Sequence, residues 1–368
     1  MTNPLRTPLC ETLGIAHPIF GFSHSVDVVV EIAKSGGFPV LGLAREMPHE
    51  IPQILQEVDA RMQGRPYGVD LMLPSQVPRQ GNIQEVRAAL PGAHVDFVQR
   101  LRERFAVPAP TKPSFFTTQV RSEELFESQI EQVLASNAIG IATAIGLRAD
   151  LIARAKARGK LTFSLIGSTR HAQKALALGV DVLVAQGYDA GGHTGSIGTF
   201  SLVPQIVAVA GNTPVLAAGG IGTGGQIVAS MAMGAQGGWL GTLWMAAAEN
   251  HTPPALLQRL MDSGSEDTVI TRAHSGKPCR VVRSDWIDAW TAAGAPEPLP
   301  MPMQQALTGD VFASMHENDD PYLIYEAAGQ SVFAIRKPTT VAAQMAELTA
   351  QMHASLGQIN AWGELRSR

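Results

Sequence analysis

Residues 214 to 245 read PVLAAGGIGTGGQIVASMAMGAQGGWLGTLWM, two short apolar runs that each close on a glycine cluster, with an amphipathic segment between them. Glycine clusters this late in the chain decide between two α/β architectures. A doubly wound sheet places its glycine fingerprint after the first strand. A (β/α)8 barrel instead commonly gathers a phosphate in the loops after strands seven and eight, where backbone amides converge and a helix start favours an anion. Working back from this stretch, runs rich in Val, Ile, Leu and Ala recur at 17–22, 39–43, 67–73, 138–143, 161–166, 181–185, 213–218 and 237–242, eight in all. Between them the periodicity predicts helices over 26–35, 49–63, 122–135, 147–158, 169–178, 202–210 and 224–233. Strand then helix, eight times, is the sequence form of an α/β (β/α)8 TIM barrel.

Two segments interrupt that pattern. Residues 74–121 form a Pro-containing insertion after the third strand, with a helix expected over 83–105. After the eighth strand, 250–337 mixes short helices with Pro-rich sequence, PEPLPMPM at 296–303, and 339–356 reads as a closing helix. The organisation expected is a barrel core over 1–250 carrying the insertion, an extension over 251–337 forming a lid or small second domain, and a helical segment over 338–368 that returns to the barrel. Loops of this length inside a compact fold act as lids or binding loops.

Composition narrows the partners. A net charge of -4 with 16% charged residues, and no long run of Lys or Arg, lacks the electrostatic footprint of a nucleic-acid binder. Small molecules are the expected partners. Cys10 and Cys279 are the only cysteines and stand in no CxxC setting, which argues against a disulfide framework or a zinc site and fits a reducing cytoplasm. No HxxxH, HExxH or GxSxG pattern occurs, so neither a metal site nor a serine nucleophile is expected. The N-terminal sequence MTNPLRTPLCETLG lacks a signal-peptide layout, and the apolar stretches are broken well before membrane-spanning length. The expectation is a cytoplasmic protein without a membrane partner.

Residues 185–198 read AQGYDAGGHTGSIG, five glycines around His193, directly after the sixth strand. That position puts His193 on the same face as the two late glycine clusters. An imidazole titrating near neutrality can take a proton from an acidic carbon, so His193 is the candidate base, the alternative being a structural hydrogen-bonder in a tight turn. His24, after the first strand, is the second acid/base candidate. His171 reads as a helix-start residue that caps or contacts phosphate, and His94, His251, His274, His316 and His353 read as exposed. Gly219, Gly220 and Ile221 would form one lip of the phosphate site, with Gly241 and Thr242 the other. GTGG at 222–225 lacks the Lys-Ser or Lys-Thr of a Walker loop, so the phosphate belongs to FMN or a phosphosugar. Tyr188, five residues before His193, and Trp244, in the tryptophan-rich last third, are candidate walls of a substrate pocket. For the tryptophans the favoured reading is core, since large aromatics bury readily.

AQGYDAGGHTG, TPVLAAGGIGTG and GTLWM, in this order, resemble the flavin-dependent nitronate monooxygenase family, formerly called 2-nitropropane dioxygenases. The similarity is motif-rich over 138–245 and compatible in layout over 8–73. It implies a (β/α)8 barrel with non-covalent FMN, His193 as base, Gly219, Gly220, Gly241 and Thr242 on the FMN phosphate, and Gln186, Gly191 and Gly192 along the flavin. YGVDL at 67–71 resembles the family's FGVNL, so Asp70 stands where an asparagine normally contacts the cofactor. PIFGFSHSV at 18–26 departs from the family's Pro-Met pair followed by small residues, which puts Phe22, Ser23 and His24 in the loop that touches flavin and substrate. The implied reaction oxidises a nitronate or nitroalkane-like substrate with O2 to a carbonyl compound and nitrite, with a homodimer left open. The family also holds bacterial enoyl reductases, so NAD(P)H-dependent reduction of an enone or enoyl thioester is the alternative, and a flavin-free phosphosugar-binding barrel is the third reading.

Overall fold

A computed structural model describes residues 4–74 and 77–365; the first three residues, residues 75 and 76 of the insertion and the last three of the closing segment lie outside it. In chain order its strands are β1 (Ile19–Ser23), β2 (Phe38–Gly42), β3 (Gly68–Met72), β4 (Gly140–Ala144), β5 (Leu161–Ile166), β6 (Val182–Gln186), β7 (Gly192–His193), β8 (Val215–Ala218), β9 (Gly238–Leu240), β10 (Thr268–Thr271) and β11 (Cys279–Val282). Strands β1 to β6 with β8 and β9 pair in parallel, in sequence order, into a closed barrel whose last strand returns onto the first. These are the eight runs read from the sequence. Their alternating residues fill the barrel with Phe20, Phe38, Phe163, Leu216 and Trp239, while helix Pro8–Leu13 plugs the N-terminal end with Leu9, Cys10 and Leu13. Of the two barrel ends, the C-terminal mouth is the one that the described residues leave open to a ligand.

Each helix expected between barrel strands is present, among them Val26–Lys34, Glu123–Ala135 and Gly224–Ala232. Helix Thr199–Ala210 starts three residues earlier than periodicity indicates, because Asp189 Oδ2 accepts from the Thr199 amide at 2.7 Å and caps it. The helix expected over 83–105 is instead two, Ile83–Ala88 and Gly92–Arg104, separated at Pro91, whose ring and missing N–H interrupt the ladder. The closing helix, Val341–Leu365, runs further than expected and packs against Gly224–Ala232 and Val26–Lys34.

The insertion and the extension meet over the mouth. Helix Met303–Glu317 packs on Ile83–Ala88, Gly92–Arg104 and Phe115–Thr118, and Arg87 pairs with Asp310 across that contact. The extension also supplies β10 and β11, which form an antiparallel sheet with β7 in the loop after β6. Cys279 lies opposite His193 and Arg280 opposite Gly192 in that sheet, so the extension fixes the loop that carries the candidate base. Among the described residues no helix is long and apolar enough to cross a membrane.

Candidate functional site

At the C-terminal mouth lies a cavity of about 540 Å³, within the roughly 300–1,000 Å³ common for small-molecule sites. Phe22, Ser23 and His24 from the end of β1, Asp70 from β3 and Gln186 from β6 border it. Gly191, Gly192 and His193 form another wall, and Gly219, Gly220, Ile221, Gly241 and Thr242 a third.

Gly219 and Gly220 have φ of +102° and +70°, consecutive left-handed conformations that a side chain would strain. A Cβ on Gly219 would also lie 2.8 Å from the Ala190 nitrogen. Among the described residues the N–H groups of Gly219, Gly220 and Ile221 donate to no protein acceptor. The helix start that follows is different. The amides of Gly222 and Thr223 donate to Gln226 Oε1, and that of Gly224 to Gln351 Oε1, so Gly224–Ala232 is already capped. The amides free to meet an anion are therefore those of the three loop residues, while the helix end, expected from sequence to favour an anion alongside them, has its own donors satisfied.

His193 contacts Ser275 Oγ through Nε2 at 2.7 Å, while Nδ1 has no hydrogen bond among the described residues. Burial first, then the charges of His274, Arg121, Lys277 and Arg45, push its pKa down to about 3, so the imidazole is neutral at physiological pH. His24 Nδ1 lies 2.8 Å from the Gly42 carbonyl. A carbonyl only accepts, so the proton sits on Nδ1 and the lone pair on Nε2. Burial and then Arg45 lower the His24 pKa to about 4. Asp70 is buried with Oδ2 unpartnered, and burial alone raises its pKa to about 7.

Two of the expected pocket residues lie elsewhere. Tyr188 is 39% exposed, and the Arg280 guanidinium covers its ring at 4.5 Å, so it lies outside the cavity. Trp244 is fully buried, its Nε1 donating to the Leu240 carbonyl at 2.8 Å, and is core as the favoured reading had it. Trp239 is the tryptophan that reaches the cavity. His171 is exposed at its helix start, away from the cavity. His274 and His316, read as exposed, are half-buried within the extension, where His274 Nδ1 contacts the Tyr325 hydroxyl and His316 Nε2 the Tyr325 carbonyl, and His274 lines the cavity.

Sequence reading missed Arg45, Phe116, Arg121, Ser275, Cys279 and Glu326, all of which line the cavity. Arg45 and Glu326 form a bidentate pair at 2.7 and 2.8 Å; burial pushes the Glu326 carboxyl up, but the Arg45 charge and hydrogen bonds outweigh it and hold the carboxyl well below the usual range. These residues come from the loop after β2 and from the insertion and extension, where no glycine motif marks a site. Among the described residues no group of His, Cys, Asp or Glu could hold a metal.

A parallel barrel with a roofed cavity, one imidazole-bearing loop and one cradle of free amides defines an enzyme acting on small molecules. Residues 6–351 match the family model for nitronate monooxygenase, and the chain belongs to that family of flavin-dependent oxidoreductases. A Mycobacterium tuberculosis protein named "Putative monooxygenase" is 39% identical over 83% of this chain and 84% of its own. Another from the same organism, (3aS,4S,5R,7aS)-5-hydroxy-7a-methyl-1-oxo-octahydro-1H-indene-4-carboxyl-CoA dehydrogenase, is 30% identical over 77% of this chain and 68% of its own. Nitroalkane oxidase from Streptomyces ansochromogenes superposes with a TM-score of 0.78 at 22% identity, covering 95% of this chain and 99% of that one. FabK from Thermotoga maritima gives 0.75 at 20% identity, covering 97% and 99%. Both structures share the fold.

The residues present fit a flavin. Three free amides offer donors for a phosphate, and the orphaned Asp70 carboxyl offers a polar contact to a ring edge.

Proposed function

We propose that the protein binds FMN non-covalently and oxidises a nitronate with dioxygen to a carbonyl compound and nitrite. The observation that carries this reading is one cavity shared by the free amides of Gly219, Gly220 and Ile221 and the buried imidazole of His193. Two nitronate anions and one dioxygen balance to two carbonyls and two nitrites, so no external reductant is consumed. FMN supplies the redox chemistry when bound.

The amide cradle takes the phosphate, with Gly241 and Thr242 as its second lip, and Gln186, Gly191 and Gly192 border the ring. His193 is the acid/base group. A pKa of about 3 makes it a weak acceptor toward a neutral nitroalkane, which favours a substrate that arrives already as the nitronate anion. A Ser275 hydroxyl that donates to Nε2 leaves the proton on Nδ1, where it donates to the anion's oxygen, and that anion raises the imidazole's basicity in turn. His24 presents its Nε2 lone pair as a second acceptor, and Phe22 and Ser23 shape the substrate side. The protein is read as cytoplasmic, and a homodimer as the assembly to look for.

Anaerobic mixing tests the reaction. A nitronate should bleach the flavin within seconds, while NADH and NADPH leave it oxidised. The mycobacterial CoA-thioester dehydrogenase relative favours a second reading, an NAD(P)H-dependent enone or enoyl thioester reductase. Bleaching by a nicotinamide and not by nitronates would replace the first reading with the second. His193→Asn, with flavin retained, should lower turnover by roughly 10²- to 10⁴-fold.

A further inference from the structure

We propose that Asp70 meets the flavin as a neutral carboxylic acid, donating its proton in a hydrogen bond to an acceptor on the ring edge, so that losing that proton weakens cofactor binding. The inference rests on the cavity taking FMN, as proposed above, and goes beyond it by assigning the protonation state of the contact.

Asp70 is 6% exposed and lines the cavity from β3. Parallel pairing sets Gly42 of β2 and Ala142 of β4 beside it, one without a side chain and the other with a methyl group. Among the described residues none donates a hydrogen bond to either carboxyl oxygen and no cation stands within ion-pairing distance. The cavity's other carboxyl shows what an ionised one requires, since Glu326 takes both arms of the Arg45 fork and the Ala327 amide. An isolated buried carboxylate is far costlier than the uncharged acid, and burial moves Asp70 up to about 7.

The groups around it leave the proton on Asp70. From β1 the Phe22 and His24 rings lie over Gly42, each 2.8 Å from where a Cβ on that glycine would stand, and His24, with a pKa of about 4, is uncharged at neutral pH. Strands β2 and β4 carry no titratable residue. Around the rest of the wall His193 and His274 are neutral as well, burial keeps the Cys279 thiol protonated, and the exposed His251 pairs with Asp27. Arg45 is spent on Glu326 and Arg121 donates to the Ala44 carbonyl; neither charge is felt at Asp70, on which burial is the single influence. A flavin edge carries carbonyl oxygens and lone-pair nitrogens against a single N–H, so it is chiefly an acceptor surface. An acid meets that surface with a donor, whereas a carboxylate sets lone pairs against lone pairs. Carboxylic acids held neutral by an apolar site serve as donors in this way.

The test is FMN affinity against pH, read from the fluorescence of flavin released on dilution of the loaded protein. Between pH 6.5 and 8.5 the wild-type Kd should rise by about tenfold or more, because binding draws on a proton that the free protein loses above about pH 7. Asp70→Asn keeps an N–H donor at every pH, and its Kd should change by less than about threefold. Asp70→Leu keeps the volume without a donor and should bind as weakly at pH 6.5 as at 8.5. The second ionisation of the FMN phosphate, near about 6, is common to all three and cancels in their ratios. Infrared spectra of the loaded wild type at pH 6.5 should show the C=O stretch of a protonated carboxyl that Asp70→Asn lacks, a signature that a merely structural role does not produce. Parallel curves for wild type and Asp70→Asn overturn the assignment and leave the flavin reading intact. Wild-type binding that tightens as pH rises overturns it in favour of a carboxylate accepting from the ring N–H, and a wild type that retains no FMN at any pH overturns both readings.

Discussion

Ser275 Oγ lies 2.7 Å from His193 Nε2, a bond between a barrel loop and the extension across 82 residues of sequence. The same two segments are held by the β7 to β11 pairing at Cys279 and Arg280, so the extension sets both the position of the imidazole and which of its nitrogens faces the cavity. Ser275→Ala removes that partner and also the acceptor of the Lys277 amide at 3.4 Å. An unpartnered buried group costs about 1–3 kcal/mol, so kcat/KM should fall roughly 5- to 100-fold while the flavin absorbance of the purified protein is retained. A variant as active as the wild type would show that this bond does not orient the base.

Gly219→Ala tests the cradle. At φ +102° an alanine is strained, and its Cβ would meet the Ala190 nitrogen at 2.8 Å and Thr199 Oγ1 at 2.9 Å, so the loop must move. Moving it misaligns the amides that would hold the phosphate, and FMN affinity should drop by on the order of tenfold or more, about 1.4 kcal/mol. Recovery of flavin fluorescence on dilution measures this directly. Undiminished affinity in a folded variant would move the phosphate to another part of the cavity.

The barrel and half of the site were legible because both are local. Short, continuous apolar runs mark β1 to β6 with β8 and β9, as strands of a parallel barrel buried on both faces require, and the positions of Gly219, Gly220, Gly241 and His193 follow from which strand each one trails. Arg45, Arg121, Ser275 and Glu326 were not, since their place depends on two long excursions folding back over the mouth, and sequence spacing carries no record of a contact such as Arg45 with Glu326, 281 residues apart. The histidines show the same limit. His274 and His316 sit in polar-looking sequence and are half-buried because Tyr325 and Phe312 of the same extension pack around them.

Aromatic placement gives a contrast that can be measured in one pair of variants. Trp244 is fully buried and bonded to the Leu240 carbonyl, so Trp244→Ala should cost about 3–5 kcal/mol in urea unfolding. Tyr188 is half exposed beneath Arg280, and Tyr188→Ala should cost under about 1.5 kcal/mol, the scale of a partly exposed cation–π contact, and leave KM within twofold. A large rise in KM on losing Tyr188 would bring that ring back into the substrate pocket.

The titratable groups around the cavity set how stability responds to acid. His24, His193 and His274 have pKa values of about 4, 3 and 4, below the unfolded value of 6.5, so between pH 6.5 and 4 the unfolded chain binds three protons that the folded one does not. Their contribution is complete above pH 6.5 and is lost as the pH falls. Asp70 acts in the opposite direction, since a folded pKa of about 7 against 3.8 unfolded makes the folded state bind one proton more across the same window. The net difference from these four groups is two protons, and stability should fall by about 2.7 kcal/mol per pH unit between pH 6 and 4.5. Asp70→Asn removes the opposing proton, so the slope should steepen to about 4 kcal/mol per unit. The variant should also gain stability at pH 8, where the wild type must bury a carboxylate with no partner for Oδ2. Urea midpoints at pH 5, 6, 7 and 8 for both proteins decide the matter, and parallel curves would mean that Asp70 titrates as an ordinary exposed carboxyl.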